Sequence, residues 1–404
     1  MSATPGEQLW ASTLPGGTAT AEAVSADGMR LFVAGYLGTQ QSFETVAYSA
    51  ATGAQLWAKA YQAAGSSYSY PAAITVSPDG ARVYVTGDTM SALGQGAATF
   101  AYDAGTGKQL WVSRYNTKGA AVSGLTVSLD GTTVYVTGAG RVSGRQSHPA
   151  VIAYAVATGR QRWLRYYTKV PAEGGSVSPD GKTVYVTGSG GSSVLTVAYQ
   201  ATGTLKWATR YNNPYGGAGG GEVVLGPGGS NLYIVGAASN KSGHFDTATF
   251  AYRTATGKCL WLDRYNSRGG GGQIAMTPDG RKVILVATRN NGRAGGYAIA
   301  SYSASTGATR WTRQAPVAAD ELSVPAGLVI DPHGDTVFVA SSQDPGGYDT
   351  AAWSVADGTL LWTISYAPAK VYHPAAIALS GDGTRLFVTG LWPDHGITTV
   401  AYQT

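Results

Sequence analysis

The chain has 404 residues, a formal charge of +5 and only 13% charged residues, about half the share usual in soluble proteins. Its basic residues (Arg82, Arg114, Lys182, Arg210, Lys258, Arg264 and Lys282) are scattered over recurrent positions instead of gathering on one face, which argues against a nucleic-acid partner. One cysteine, Cys259, excludes an internal disulfide and a cysteine zinc cage, and the absence of an apolar run of about 18 residues excludes a predicted membrane helix.

Taken in chain order, the sequence is one unit repeated. Trp10, Trp57, Trp111, Trp163, Trp207, Trp261, Trp311 and Trp362 follow one another at gaps of 47, 54, 52, 44, 54, 50 and 51 residues. Within residues 71–115, Pro71 to Val76 reads as a strand of small and β-branched residues, and Ser77-Pro78-Asp79-Gly80 turns the chain. Arg82 to Gly87 alternates as a second strand, Ala98 to Tyr102 as a third, and Gln109 to Tyr115 follows the Gly105-Thr106-Gly107 turn as a fourth. The first turn recurs at Gly28, Gly80, Gly131, Gly181, Gly229, Gly280, Gly334 and Gly383, and the third-strand aromatic at Tyr48, Tyr102, Tyr154, Tyr199, Tyr252, Tyr302, Trp353 and Tyr402. Repeats of this size with four strands each predict an all-β, eight-bladed β-propeller with four antiparallel strands per blade. The last repeat supplies only three strands, so residues 7–13 are expected to close the ring as its fourth, and residues 1–404 are read as a single domain.

Several fourth strands carry a tyrosine four residues after the tryptophan (Tyr61, Tyr115, Tyr167, Tyr211, Tyr265 and Tyr366), read as a packing partner between blades. The glycine-rich stretches 216–221 and 269–272 lack the spacing of a dinucleotide loop and are read as places where inner strands crowd together. Cys259, just before Leu260-Trp261, is read as a buried structural thiol.

The segment Ala101-Tyr102-Asp103-Ala104-Gly105-Thr106-Gly107-Lys108-Gln109-Leu110-Trp111 resembles the tryptophan-docking motif of the quinoprotein, or PQQ-like, propeller family. Weaker copies stand at 47–57, 153–163, 251–261, 301–311 and 352–362, with a shortened one at 198–207, so the resemblance spans the chain and also implies eight blades. The quinoprotein dehydrogenases of that family are longer, and many carry a disulfide between adjacent cysteines beside the cofactor, which one cysteine cannot form. No set of residues matches their calcium ligands or catalytic aspartate, so no cofactor and no metal ligand is assigned.

Function is sought where the repeat breaks, on the longer connections at one end of the blades. Trp392 is the one tryptophan out of register, in Leu391-Trp392-Pro393-Asp394-His395-Gly396, and the crossover into the same repeat carries Tyr372-His373. His373, His395, Asp394 and Tyr372 are therefore the candidates for acid–base chemistry, with Trp392 as a stacking surface. His244 and Asp246, Arg145 and His148, Glu173 and Arg289 are further candidates for ligand binding. The leading expectation is a monomeric propeller that binds a carbohydrate or other polyhydroxylated ligand, or a partner, at the long-loop face and the channel mouth. The alternatives are a lyase or hydrolase built on His, Tyr and carboxylate groups there, a quinone-dependent dehydrogenase, and a bare interaction scaffold. The chain shows no signal peptide before its first repeat, yet its low charge suits an exported protein; an extracytoplasmic location is expected, with a cytoplasmic one as the alternative.

Overall fold

The computed structural model describes residues 4–38, 42–61, 66–91, 94–115, 121–141, 147–166, 172–290, 295–315, 323–342, 347–366, 373–392 and 396–404. They form an all-β, eight-bladed β-propeller whose blades are separate antiparallel sheets. The chain divides into two compact units, residues 1–168 with 366–404, and residues 169–365.

The first unit holds the blades 17–61, 66–115 and 121–166, each with its four strands in sequence order, and an eighth blade made from both ends of the chain. There Gln8–Leu14 pairs antiparallel with Gly396–Gln403, from Gln8 opposite Tyr402 to Leu14 opposite Ile397. The Gly6 amide donates to the Gln403 carbonyl at 2.8 Å, and the Gln403 amide donates to the Glu7 carbonyl at 2.9 Å. The second unit holds the blades 172–212, 218–265, 273–314 and 325–366. Its 218–265 sheet has five strands, because the innermost strand is split into Ala218–Gly219 and Val223–Leu225. The glycines between them allow this: a Cβ on Gly221 would stand 2.7 Å from the Val235 carbonyl oxygen.

The recurrent residues form the turns and the contacts between neighbouring blades. In the Ser77 turn, Oγ of Ser77 donates to Oδ1 of Asp79 at 2.5 Å and accepts the Arg82 amide at 2.9 Å, while Asp79 accepts the Ala81 amide at 3.0 Å. Gly80 ends it at φ +70°, a conformation a side chain disfavours. All eight third-strand aromatics are buried. Indole Nε1 groups reach a carbonyl of the next repeat: Trp10 to Ala50 at 3.1 Å, Trp57 to Ala104 at 3.1 Å and Trp111 to Val156 at 2.8 Å in the first unit. In the second unit Trp207 bonds Thr254 at 2.8 Å, Trp261 bonds Ala304 at 2.9 Å and Trp311 bonds Val355 at 3.1 Å. Each ring lies on a glycine of that next repeat. A Cβ on Gly107, for example, would stand 2.7 Å from the Trp57 ring.

Fourth-strand tyrosines do pack between blades. Tyr61 lies 4.3 Å from Phe100 between ring centres, and Tyr211 lies 5.1 Å from Phe250; Tyr167 lies outside the described residues. Cys259 departs from expectation. It opens the outermost strand Cys259–Tyr265 and is exposed, with Sγ 3.5 Å from the Trp261 carbonyl, because an edge strand turns that position toward solvent.

Candidate functional site

Most of the acid–base candidates named from the sequence fall on undescribed ground. Tyr372, Asp394, His395 and Arg145 lie outside the described residues. His373 opens the strand His373–Leu379 opposite Leu391, and Trp392 ends Arg385–Trp392 opposite Gly396, so the backbone brings these two to one end of the eighth blade. His148 stands opposite Gly140 in the third blade, and Glu173 is the second residue of Ala172–Val177.

His244, Asp246 and Arg289 have described side chains, and all belong to the second unit. The loop before Asp246 is shaped by Asn240. Its Oδ1 accepts the amides of Ser242 at 3.0 Å and His244 at 3.2 Å, which folds the chain back on itself, and its Nδ2 donates to Oδ1 of Asp246 at 2.9 Å. His244 is exposed at the tip of this loop. The other carboxylate oxygen of buried Asp246 lies 3.2 Å from Nη2 of Arg264. The same nitrogen donates to the carbonyls of Ala238 at 2.8 Å and Ser239 at 2.7 Å, and Nη1 reaches Oδ1 of Asn213 at 3.4 Å. Buried Asn213 in turn donates to the carbonyls of Gly216, Gly217 and Ser239 at 3.2, 3.0 and 2.9 Å. The planar guanidinium thus ties the crossover after residue 212 to the hairpin around residues 239–246, a job that suits arginine's fixed fork of donors.

This network adjoins, through Gly217, a cleft of about 560 Å³, within the range of small-molecule sites. Gly190, Gly191, Gly217, Gly219, Ala237 and Phe245 line it. The glycines leave backbone in the wall, and one of them makes room for an aromatic ring: a Cβ on Gly217 would stand 3.0 Å from Cζ of Phe245. Phe245 and Tyr215 are each 43% exposed, large apolar rings left facing solvent. The Lys241 ammonium and the Arg264 guanidinium carbon lie 5.9 and 6.0 Å from the centre of the Tyr215 ring.

Asn213, Tyr215, Asn240 and Arg264 escaped the sequence reading. Arg264 was hidden by occupying a position where other repeats also carry a basic residue. Tyr215 could have been found as an aromatic outside every repeat register, as Trp392 was. Among the described residues, removing the carboxylate at Asp246 leaves a part-buried guanidinium without its counter-ion. Asp246→Ala should therefore lower stability by about 3 kcal/mol in denaturant titration, while His244→Ala on the loop tip should stay within about 0.5 kcal/mol of wild type.

No group of three or more His, Cys, Asp or Glu among the described residues is placed to hold a metal, and Cys259 stands alone.

No curated protein matches this chain. Among solved structures, Sqt1 of Chaetomium thermophilum bound to the N-terminus of the ribosomal protein L10 is 14% identical with a TM-score of 0.69, covering 99% of this chain and 100% of that one. The quinohemoprotein alcohol dehydrogenase of Comamonas testosteroni is also 14% identical, with a TM-score of 0.62 over 98% of this chain and 76% of that one. Hydrazine synthase of Kuenenia stuttgartiensis gives 14% identity and a TM-score of 0.57, over 83% of this chain and 95% of that one. At such identities these likenesses show the fold alone. The PQQ-like repeat family described as outer membrane protein assembly factor BamB matches residues 1–148 and 242–372, more than half of the sequence, and the chain belongs to that family.

Proposed function

We propose that this chain is a binding module that takes a carbohydrate or other polyhydroxylated ligand at the long-loop end of residues 169–365 and releases it unchanged. The observation that carries this reading is the cleft lined by Phe245, with Tyr215 a second exposed ring against Arg264, on a framework fixed by the Asn240, Asp246, Arg264 and Asn213 hydrogen bonds. Exposed aromatic faces stack on the C–H faces of sugar rings, and glycine-walled backbone lets hydroxyl groups approach amides and carbonyls closely. A prebuilt site of this kind keeps the cost of ordering low when ligand arrives. The low proportion of charged residues supports an exported location for such a module.

A glycan array followed by calorimetry tests the reading. Wild type should retain a subset of oligosaccharides, and Phe245→Ala and Tyr215→Ala should each weaken that binding about tenfold, in line with the loss of one aromatic contact. The recovered sugar should be intact. Binding that both variants leave untouched removes the cleft as the site, and a shortened or unsaturated product makes the protein an enzyme.

A further inference from the structure

We infer that the same cleft prefers an anionic ligand, and that Arg268 and Arg289 recognise its carboxylate, sulfate or phosphate group. This rests on the binding reading above and narrows it to acidic carbohydrates, with uronate sugars as the simplest case.

Arg268 is the one residue other than glycine with a positive φ among the described residues, at +55°. A left-handed backbone is strained for arginine, and such strain persists where the surroundings or a function demand it. The neighbouring Gly270 and Gly271 are also left-handed, at +63° and +73°, so a glycine at 268 would fit this turn better than the arginine does. The segment is firmly placed. Oγ of Ser267 accepts the Gly270 amide at 3.2 Å and is hydrogen-bonded to Oγ1 of Thr247 at 3.0 Å, and that Oγ1 donates to the Gly271 carbonyl at 2.6 Å.

Arg268 is also the backbone bridge partner of Arg289, antiparallel. Two like charges directly opposite each other destabilise a strand pair. Among the described residues neither arginine forms an ion pair: the ion pairs present join Arg30 to Asp27, Arg264 to Asp246 and Arg281 to Asp279. Arg268 is exposed and Arg289 half-buried, so both can meet a ligand from solvent. The turn adjoins the cleft directly, since a Cβ on Gly270 would stand 2.7 Å from Cβ of Phe245 and 3.2 Å from that of Ala237. The repulsion, and the want of a counter-ion among the described residues, are both relieved by an anion held between two guanidinium forks, which gives the strained position of Arg268 a functional reason. A uronate resting a ring face on Phe245 would supply it.

The experiment compares an oligogalacturonate with its methyl ester, which has the same sugars without the charge, by calorimetry at low and high salt. Wild type should bind the acid at least tenfold more tightly than the ester, and salt should erase most of that difference. Arg268→Gly and Arg289→Gln should bring acid and ester to equal affinity, whereas Phe245→Ala should weaken both and keep the difference between them. Arg268→Gly should also melt higher than wild type, because it removes the strain, which separates loss of the charge from damage to the fold. Equal binding of acid and ester by wild type overturns the anion inference and leaves the carbohydrate reading standing. The inference falls separately if sulfate, titrated alone, moves neither the Arg268 nor the Arg289 Nε–H resonance. If sulfate moves both resonances but neither sugar binds, the anion site stands and the carbohydrate reading falls.

Discussion

Glu44→Gln should stabilise the protein by about 2–3 kcal/mol at pH 8 and by almost nothing at pH 4. Glu44 is 4% exposed, lies opposite Gly35 on one side and Ala60 on the other, and its Oε2 is buried without a hydrogen-bond partner. Burial without compensation pushes its carboxyl up from 4.5 to about 7. Glu22 behaves alike. Burial raises it to about 7, against the pull of the Thr389 hydroxyl that donates to Oε2 and of the Ala378 backbone, while its Oε1 has no partner. Both acids keep their proton in the folded chain at pH values where the unfolded chain has lost it. The folded state therefore binds more protons between about pH 4.5 and 7, and stability falls as pH rises through that window, then levels off. At about 1.4 kcal/mol per pH unit, each site costs on the order of 3 kcal/mol above pH 7. Denaturant midpoints at pH 4, 6 and 8 check this: the Glu22→Gln, Glu44→Gln double variant should show a flattened profile. A gain of equal size at pH 4 and pH 8 would assign the effect to packing instead of charge.

Trp57→Ala should cost about 4 kcal/mol, among the largest losses open to a single substitution here. The ring is 8% exposed, packs with Phe32 and Tyr102 at 5.8 and 6.1 Å between centres, and bonds the Ala104 carbonyl. Gly107→Ala should cost about 2 kcal/mol from the other side of the same contact, because the residue sits at φ +67° and its new methyl would press on the indole. The two losses should not add. With the indole gone the methyl meets no ring, so the double variant should be more stable than the sum predicts by about 1 kcal/mol, which a double-mutant cycle reads directly. Strict additivity would mean that the ring does not rest on that glycine.

The tryptophans, the turns ending in glycine and the third-strand aromatics were legible because each is written eight times, intact or degraded, and a packing rule that recurs is visible without coordinates. Glu22 was legible in principle. It is paired with Val33 as Ile74 is with Val85, Leu125 with Val136, Ile274 with Leu285 and Ile377 with Val388, so an acid stands where those four blades place an apolar side chain. The Arg264 network was not legible. Its members come from three separate stretches, Asn213, Asn240 to Asp246, and Arg264, and only folding shows that they meet. Arg289 was nominated from its loop alone, and its significance came from Arg268, whose backbone angle no sequence pattern encodes. The eighth-blade histidines were singled out for their company in the sequence, and their side chains lie beyond what the structure describes.

The pairing of Gln8–Leu14 with Gly396–Gln403 has a mechanical consequence. Because Gln8 lies opposite Tyr402, the two chain ends leave the sheet side by side at the same end of the ladder. Tension applied between them peels the ladder one hydrogen bond at a time, starting at Gly6 and Gln403, instead of shearing all of its bonds at once. A chain pulled by its ends would thus begin to give way at this seam, at low force, until the peeling reaches Trp10 and its contact with Ala50.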